Sequence, residues 1–292
     1  MAREGAHSGR AVSWVKRLVV LALGGVGVLY VAYAGLMYAL QDAILFHPDG
    51  TTRSELDRAA ERTGVEPFTI TASDGTALYG WHRKAGGTHA LLYFHGNGGS
   101  IQAVPWLAAQ LPGVDVLCVS YRGYPGSEGT PGEAGMRLDA LALWAYVTND
   151  LGFAPDHVVV QGQSMGGGVV HHLLMDAQPA GAVLDSTFSS IEEIAGASQP
   201  LLPVSLLLKN PFRSYERAPR IRVPVLVMHG TDDTLIPVEH GRKLAKLIPG
   251  AEYLELPHHG HNAWTLDRPE AMQAWLAFLE RVWGIDIPAP DR

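Results

Sequence analysis

Val158-Val159-Val160-Gln161-Gly162-Gln163-Ser164-Met165-Gly166-Gly167-Gly168-Val169-Val170 is the stretch on which the reading of this chain turns. Three β-branched residues in a row predict a short buried strand. The run of small residues after Gln161 predicts a tight turn, and the apolar residues from Gly166 onward predict a helix. A Gly-x-Ser-x-Gly motif alone occurs by chance. Set between a strand and a helix, it points to a nucleophile: the turn strains the serine backbone and thrusts its Oγ into the open. Gly162 and Gly166 carry no side chain to clash where strand and helix approach. The helix start aims its free N–H groups at the reacting centre, and the amide of Met165 becomes a first oxyanion donor.

Working outward, similar short apolar runs recur at residues 90–94, 115–120, 181–184, 223–228 and 251–256. Runs of this kind suit strands buried on both faces of a parallel sheet. Residues 67–71 and 77–81 read as two further strands around an Asp74-Gly75 hairpin turn. Helical stretches are predicted between the runs, near residues 101–110, 132–149, 166–175, 239–247 and 270–282. Alternating strands and helices predict an α/β architecture, a mostly parallel central sheet with helices on both faces. Reactive groups then gather beyond the carboxyl ends of the strands.

A serine hydroxyl needs a base. Of 13 histidines, three follow the last strand: His258, His259 and His261. His261, in the glycine-led Gly260-His261-Asn262, is the preferred base. A third group must accept the histidine's other N–H and hold its tautomer. Asp232 and Asp233 compete at the end of the 223–228 run. Asp233 is preferred for the histidine, and the other aspartate is expected to cap the following turn. The second oxyanion donor is expected from His95-Gly96-Asn97-Gly98-Gly99, where glycines let the backbone approach substrate. The Asn97 N–H is the candidate. His95 is expected to pack or hydrogen-bond within that loop rather than act as a base.

The whole chain narrows the choice further. Its 292 residues are 47% hydrophobic and 17% charged, enough for one large core. The formal net charge is −7, and the main body has no Lys/Arg cluster, which argues against nucleic acid as a partner. The single cysteine, Cys118, lies in an apolar run and reads as a small core residue. No cofactor and no metal site is expected, because no carboxylate or cysteine completes a ligand set with the clustered histidines. The sequence leaves oligomeric state open.

Residues 18–40 carry no charge and are long enough to cross a bilayer. Arg3, Arg10, Lys16 and Arg17 precede them, which by the positive-inside bias leaves the N-terminus in the cytoplasm and the large domain on the far side. The expectation is a single-pass signal-anchor. A cleaved secretory signal, with Ala32-Tyr33-Ala34 as its site, is the alternative, and a buried or interfacial helix a third. The expected layout is a basic segment (1–17), the transmembrane span (18–40), a polar helical lead-in (41–66), a catalytic domain (67–285) with a short insertion near 190–220, and a tail (286–292). The insertion contains Pro200-Leu201-Leu202-Pro203-Val204-Ser205-Leu206-Leu207-Leu208. It reads first as a core-packed helix, and otherwise as a lid or acyl-chain wall. Arg122 is expected to brace loops.

Several of these residues together resemble the α/β-hydrolase superfamily, and within it the Bem46-like and ABHD13-like serine hydrolases. The resemblance spans roughly residues 40–283. It is carried by Phe46-His47-Pro48, Phe94-His95-Gly96-Asn97-Gly98-Gly99 and Tyr121-Arg122-Gly123-Tyr124-Pro125-Gly126-Ser127-Glu128-Gly129-Thr130-Pro131. Gly162-Gln163-Ser164-Met165-Gly166-Gly167, Asp185-Ser186-Thr187-Phe188-Ser189-Ser190, the Asp233 loop and Gly260-His261-Asn262 complete it. It implies the α/β-hydrolase fold, a triad of Ser164, Asp233 and His261, and one N-terminal anchor. The expected activity is hydrolysis of a carboxylic ester or thioester, small-molecule or lipid, through an acyl-enzyme. The competing readings are an amidase or peptidase with the same triad, and a membrane-tethered binding protein that has no activity.

Overall fold

The computed structural model describes residues 5–261 and 263–288. Asn262 of the histidine motif, residues 1–4 of the basic segment and residues 289–292 of the tail lie outside them. A long helix, α1 (Gly5–Leu45), opens the chain and continues past the expected end of the apolar span. The lead-in holds α2 (Arg53–Thr63), started by a capping box between Thr52 and Glu55 and ended by Gly64 in the left-handed region.

The rest alternates strand and helix. In order come β1 (Glu66–Thr71), β2 (Ala77–Arg83), β3 (His89–Phe94), α3 (Val104–Ala109), β4 (Val114–Val119), α4 (Glu133–Ala145), β5 (Val158–Gln163) and α5 (Met165–Leu173). There follow β6 (Gly181–Asp185), α6 (Ile191–Ser198), α7 (Val204–Leu207), α8 (Ser214–Arg217), β7 (Val225–Gly230), α9 (Glu239–Leu247), β8 (Glu252–Leu256) and α10 (Pro269–Trp283). The eight strands form one sheet in the order β1-β2-β4-β3-β5-β6-β7-β8. β2 pairs antiparallel with β1 and β4; every other pairing is parallel. This is the α/β-hydrolase architecture expected from the sequence.

The central strands are buried on both faces, as their valine-rich sequences require. One core layer packs α4 and α5 residues on one face of the sheet, and a second packs α3 and α10 residues on the other. Cys118 is buried in the second, as expected. Thus the carboxyl ends of β3, β5, β6 and β7 sit side by side, and their loops meet at one edge.

Two expectations are corrected here. The apolar span is not a buried helix: from Leu18 to Leu29 its large apolar side chains are exposed. The greasy insertion is not a core-packed helix either. It forms only the four-residue α7, which contains no buried residue, and Leu201 and Leu206 are 82% and 84% exposed. Two prolines within a few residues deny it a longer helix.

Arg122 does brace loops. Its guanidinium bonds Asp139, which is fully buried in α4, at 2.7 Å and Asp74 in the β1–β2 hairpin at 2.7 Å. Removing one member of a buried pair leaves a charge partly unanswered. Asp139→Ala should therefore cost about 3 kcal/mol in chemical denaturation of the detergent-solubilised protein; a cost within about 0.5 kcal/mol, ordinary for a surface change, would refute the bracing role.

Candidate active site

Ser164 occupies the turn between β5 and α5 with φ 51° and ψ −116°. A non-glycine residue holds such a conformation only when its surroundings enforce it. Here they do. The Ser164 amide donates to Asp185 O at 2.8 Å, and its carbonyl accepts from Thr187 Oγ1 at 2.6 Å. Glycine at 166 is obligatory: a Cβ there would lie 1.9 Å from Phe94 O. Gly96 is also close, where a Cβ would stand 3.3 Å from Ser164 Cβ. The loop after β3 thus lies directly against the serine.

The structure brings Ser164, His261 and Asp233 together from positions far apart in the chain. Ser164 Oγ donates to His261 Nε2 at 3.0 Å, and His261 Nδ1 donates to Asp233 Oδ2 at 2.6 Å. Asp233 is 5% exposed. Its other oxygen accepts from the amides of Leu235 (3.0 Å) and Ile236 (2.7 Å). Burial alone would raise this carboxyl's pKa. Hydrogen bonds from His229, His261 and the Ile236 amide outweigh it and hold the group well below the usual carboxylate range.

The expectation that the other aspartate caps the turn is corrected. Asp233 both caps the turn and receives the histidine, one oxygen for each. Asp232 instead accepts from Thr231 Oγ1 at 2.8 Å and stands 3.6 Å from His258 on the surface. Of the two other histidines in the cluster, His258 is exposed and His259 is buried with its Nε2 donating to Ala263 O at 3.2 Å. His95 is also buried, with Nδ1 donating to Gly96 O at 2.7 Å. Burial pushes its pKa down to about 4, so it stays neutral, a packing residue against Tyr121.

Met165 and Asn97 both line the same cavity as Ser164. The cavity holds about 480 Å³ and is walled mainly by apolar side chains. Its lining includes Phe188, Ile191 and Ile194 on one side and Met37, Ile44 and Leu45 of α1 on the other. A second hollow of about 540 Å³, of mixed polarity, adjoins Gln163 and includes Gln102, Trp106, Trp264 and Asp267.

Sequence reasoning missed three features. It took Asn97 only for its amide. The side chain also ties the loop after β3 to the end of α1: Nδ2 donates to Leu45 O at 2.6 Å, and Oδ1 accepts from the His47 amide at 2.9 Å and from the Tyr124 hydroxyl. It missed Thr187, which holds the Ser164 carbonyl. It also missed that α1 is a wall of the cavity. The Phe46-His47-Pro48 and Tyr121–Tyr124 motifs were the available signals, since motifs remote in sequence can share one clamp. Asn97→Ala should lower turnover by about 10–100-fold by loosening that loop, measured as kcat on a soluble ester with thermal stability followed alongside. Unchanged kcat would remove the clamp from the argument.

A family profile for the alpha/beta hydrolase fold matches residues 89–205 and 205–264. An uncharacterised protein of Mycobacterium tuberculosis strain H37Rv is 33% identical over 199 residues, 66% of this chain and 71% of that one. The lysophosphatidylserine lipase ABHD12 of Danio rerio is 32% identical over 199 residues, which is 60% of this chain and 51% of the lipase. Among solved structures, the Pyrococcus furiosus esterase Pf2001 is similar in fold, with a TM-score of 0.63 at 19% identity, over 82% of this chain and 98% of the esterase. The chain belongs to the α/β-hydrolase fold family.

Proposed function

We propose that this protein is a membrane-anchored serine hydrolase that cleaves a carboxylic ester or thioester, with Ser164 as nucleophile. The observation that carries the reading is the hydrogen-bond chain from Ser164 through His261 to the buried Asp233 at the floor of an apolar cavity. Ser164 Oγ attacks the carbonyl carbon while its proton passes to His261 Nε2. Asp233 holds the imidazole in the tautomer that can accept this proton and stabilises the imidazolium. The amides of Met165 and Asn97 receive the oxyanion of the tetrahedral intermediate. His261 then returns the proton to the departing alcohol or thiol, leaving Ser164 acylated. A water attacks the acyl carbon, gives its proton to His261, and frees the acid as Ser164 recovers its hydrogen. None of these steps calls on a cofactor or a metal.

The apolar cavity suits the acyl half of the substrate. The mixed hollow beside Gln163 suits a more polar alcohol half. Lys16–Leu45 is one helix long and apolar enough to cross a membrane, and the arginines and lysine before its uncharged residues 18–40 favour a catalytic domain on the extracytoplasmic side. Extraction with alkaline carbonate tests the anchor: full-length protein in the supernatant would refute it. Labelling with a fluorophosphonate probe tests the chemistry, and matched ester, thioester and amide substrates separate this reading from an amidase. Folded wild-type protein that takes no label would leave only a binding role.

A further inference from the structure

We infer that the cavity over Ser164 opens sideways into one leaflet of the bilayer, between α1 and the insertion that carries α7, and that its substrate is an ester whose acyl chain already lies in that leaflet. The substrate half of this inference rests on Ser164 as the nucleophile; the position of the insertion does not.

The first argument is register. Residues 18–41 of α1 carry no charge, and neither do residues 194–208. The two uncharged stretches run side by side and end at the same level, where Lys209 Nζ meets Asp42 at 3.0 Å. Further along, the Tyr33 hydroxyl donates to Gln199 Oε1, and the Tyr30 hydroxyl donates to Leu201 O at 2.8 Å. Tyr30 precedes Asp42 by twelve residues, which at the helical rise is about 18 Å. The hydrocarbon core is about 30 Å thick. If Asp42 and Lys209 sit at the interface, the insertion reaches through about one leaflet and no further.

The second argument is the backbone. Irregular chain survives at membrane depth only if its polar groups are satisfied without water. Pro200 and Pro203 have no N–H to satisfy. The amides of Leu202, Val204, Leu206, Leu207 and Leu208 all donate to carbonyls within residues 199–204. The side chain of Gln199 is held by Tyr33, and Gln41 donates to Leu207 O at 3.1 Å.

The third argument is what faces out and what faces in. Leu201 and Leu206 are outside the cavity lining and exposed, as are Leu36 and Leu40 of α1. Together they extend the apolar surface of the candidate span sideways, which a water-facing surface would not tolerate. Their neighbours Leu202, Val204 and Leu207 turn inward and line the cavity with Met37 and Tyr38 of α1. These lining residues lie on the apolar side of the Asp42–Lys209 pair; Ser164, Met165 and Asn97 lie at the cavity's other end. An acyl chain can therefore pass from leaflet to serine without crossing water.

Two measurements on the full chain in phosphatidylcholine vesicles test this. Leu206→Cys gives a labelling site at an exposed position, and Cys118, the single native cysteine, is buried. A polarity-sensitive fluorophore at position 206 should be quenched at least threefold more by a nitroxide on the lipid acyl chain than by aqueous iodide. The reverse order would overturn the inference whatever the enzyme's activity. The double variant Leu201→Asp, Leu206→Asp should turn over vesicle-borne 4-nitrophenyl palmitate at least tenfold more slowly than wild type. Its turnover of 4-nitrophenyl acetate in solution should stay within twofold. Equal losses on both esters, or no loss on palmitate, would overturn the lateral route. Wild-type protein that cleaves neither ester would overturn Ser164 as nucleophile and the substrate with it, while the quenching result still decides where the insertion lies.

Discussion

Ser164→Ala should abolish fluorophosphonate labelling and lower ester turnover by about 10⁵–10⁶-fold, the scale seen when the nucleophile of a serine hydrolase is removed. The loss is confined to chemistry. Ser164 Oγ makes one side-chain hydrogen bond, to His261. The turn itself is held by the backbone bonds to Asp185 and Thr187, which alanine keeps. Circular dichroism and thermal unfolding should therefore match wild type. Turnover within tenfold of wild type, or equal labelling of the variant, would show that another residue carries the acyl group.

The second large effect belongs to Asp233. Asp233→Asn should lower kcat by about 10⁴-fold, because the histidine is forced into the wrong tautomer. The geometry dictates which way the new amide faces. The amides of Leu235 and Ile236 both donate to Oδ1, and they demand an oxygen there in the variant too. The asparagine must then present its NH2 to His261 Nδ1, which can only accept from it. The hydrogen moves to Nε2, and Nε2 can no longer take the proton of Ser164. The turn keeps its cap, so the fold is retained while turnover collapses. A variant retaining more than a few per cent of wild-type kcat would move the acid role elsewhere, with Asp232 the nearest candidate.

The pH dependence follows from the same carboxyl. Its folded pKa is depressed, so its contribution to stability is complete above the ordinary aspartate range, near 3.9. That contribution is lost only as pH falls through the lower folded value. Asp233 therefore stays ionised through mildly acid solution, and a fall in activity between about pH 5 and 7 should not trace to it. Asp232→Asn, by contrast, changes a surface group and should leave the pH profile unchanged.

The local features of the elbow were legible because they depend on neighbours in sequence. A valine run, a turn of small residues and a helix are set by backbone propensity, and Gly162 by the closeness of its own strand and helix, whereas Gly166 is demanded by Phe94 O of β3. The alternation of strands and helices, and with it the fold, was readable for the same reason. The uncharged length of residues 18–40 likewise marks a candidate span by itself. Choosing Asp233 over Asp232 was already harder. Adjacent residues differ only in the direction their side chains point, and that direction is set by the turn amides and by His261, which lies 28 positions away.

What only the tertiary structure decided is how distant segments share work. One carboxylate serves both as cap and as histidine partner, because its two oxygens face different segments. The Asn97 side chain joins the loop after β3 to the end of α1 across 52 positions. The insertion, which sequence alone favoured as core, lies beside α1 and lines a cavity with it. Hydrophobicity in a sequence says that a segment avoids water; it does not say whether protein or lipid takes the place of that water. Only the packing of α1 against residues 199–209 distinguishes the two, because only there do apolar side chains divide between those that line the cavity and those left facing outward.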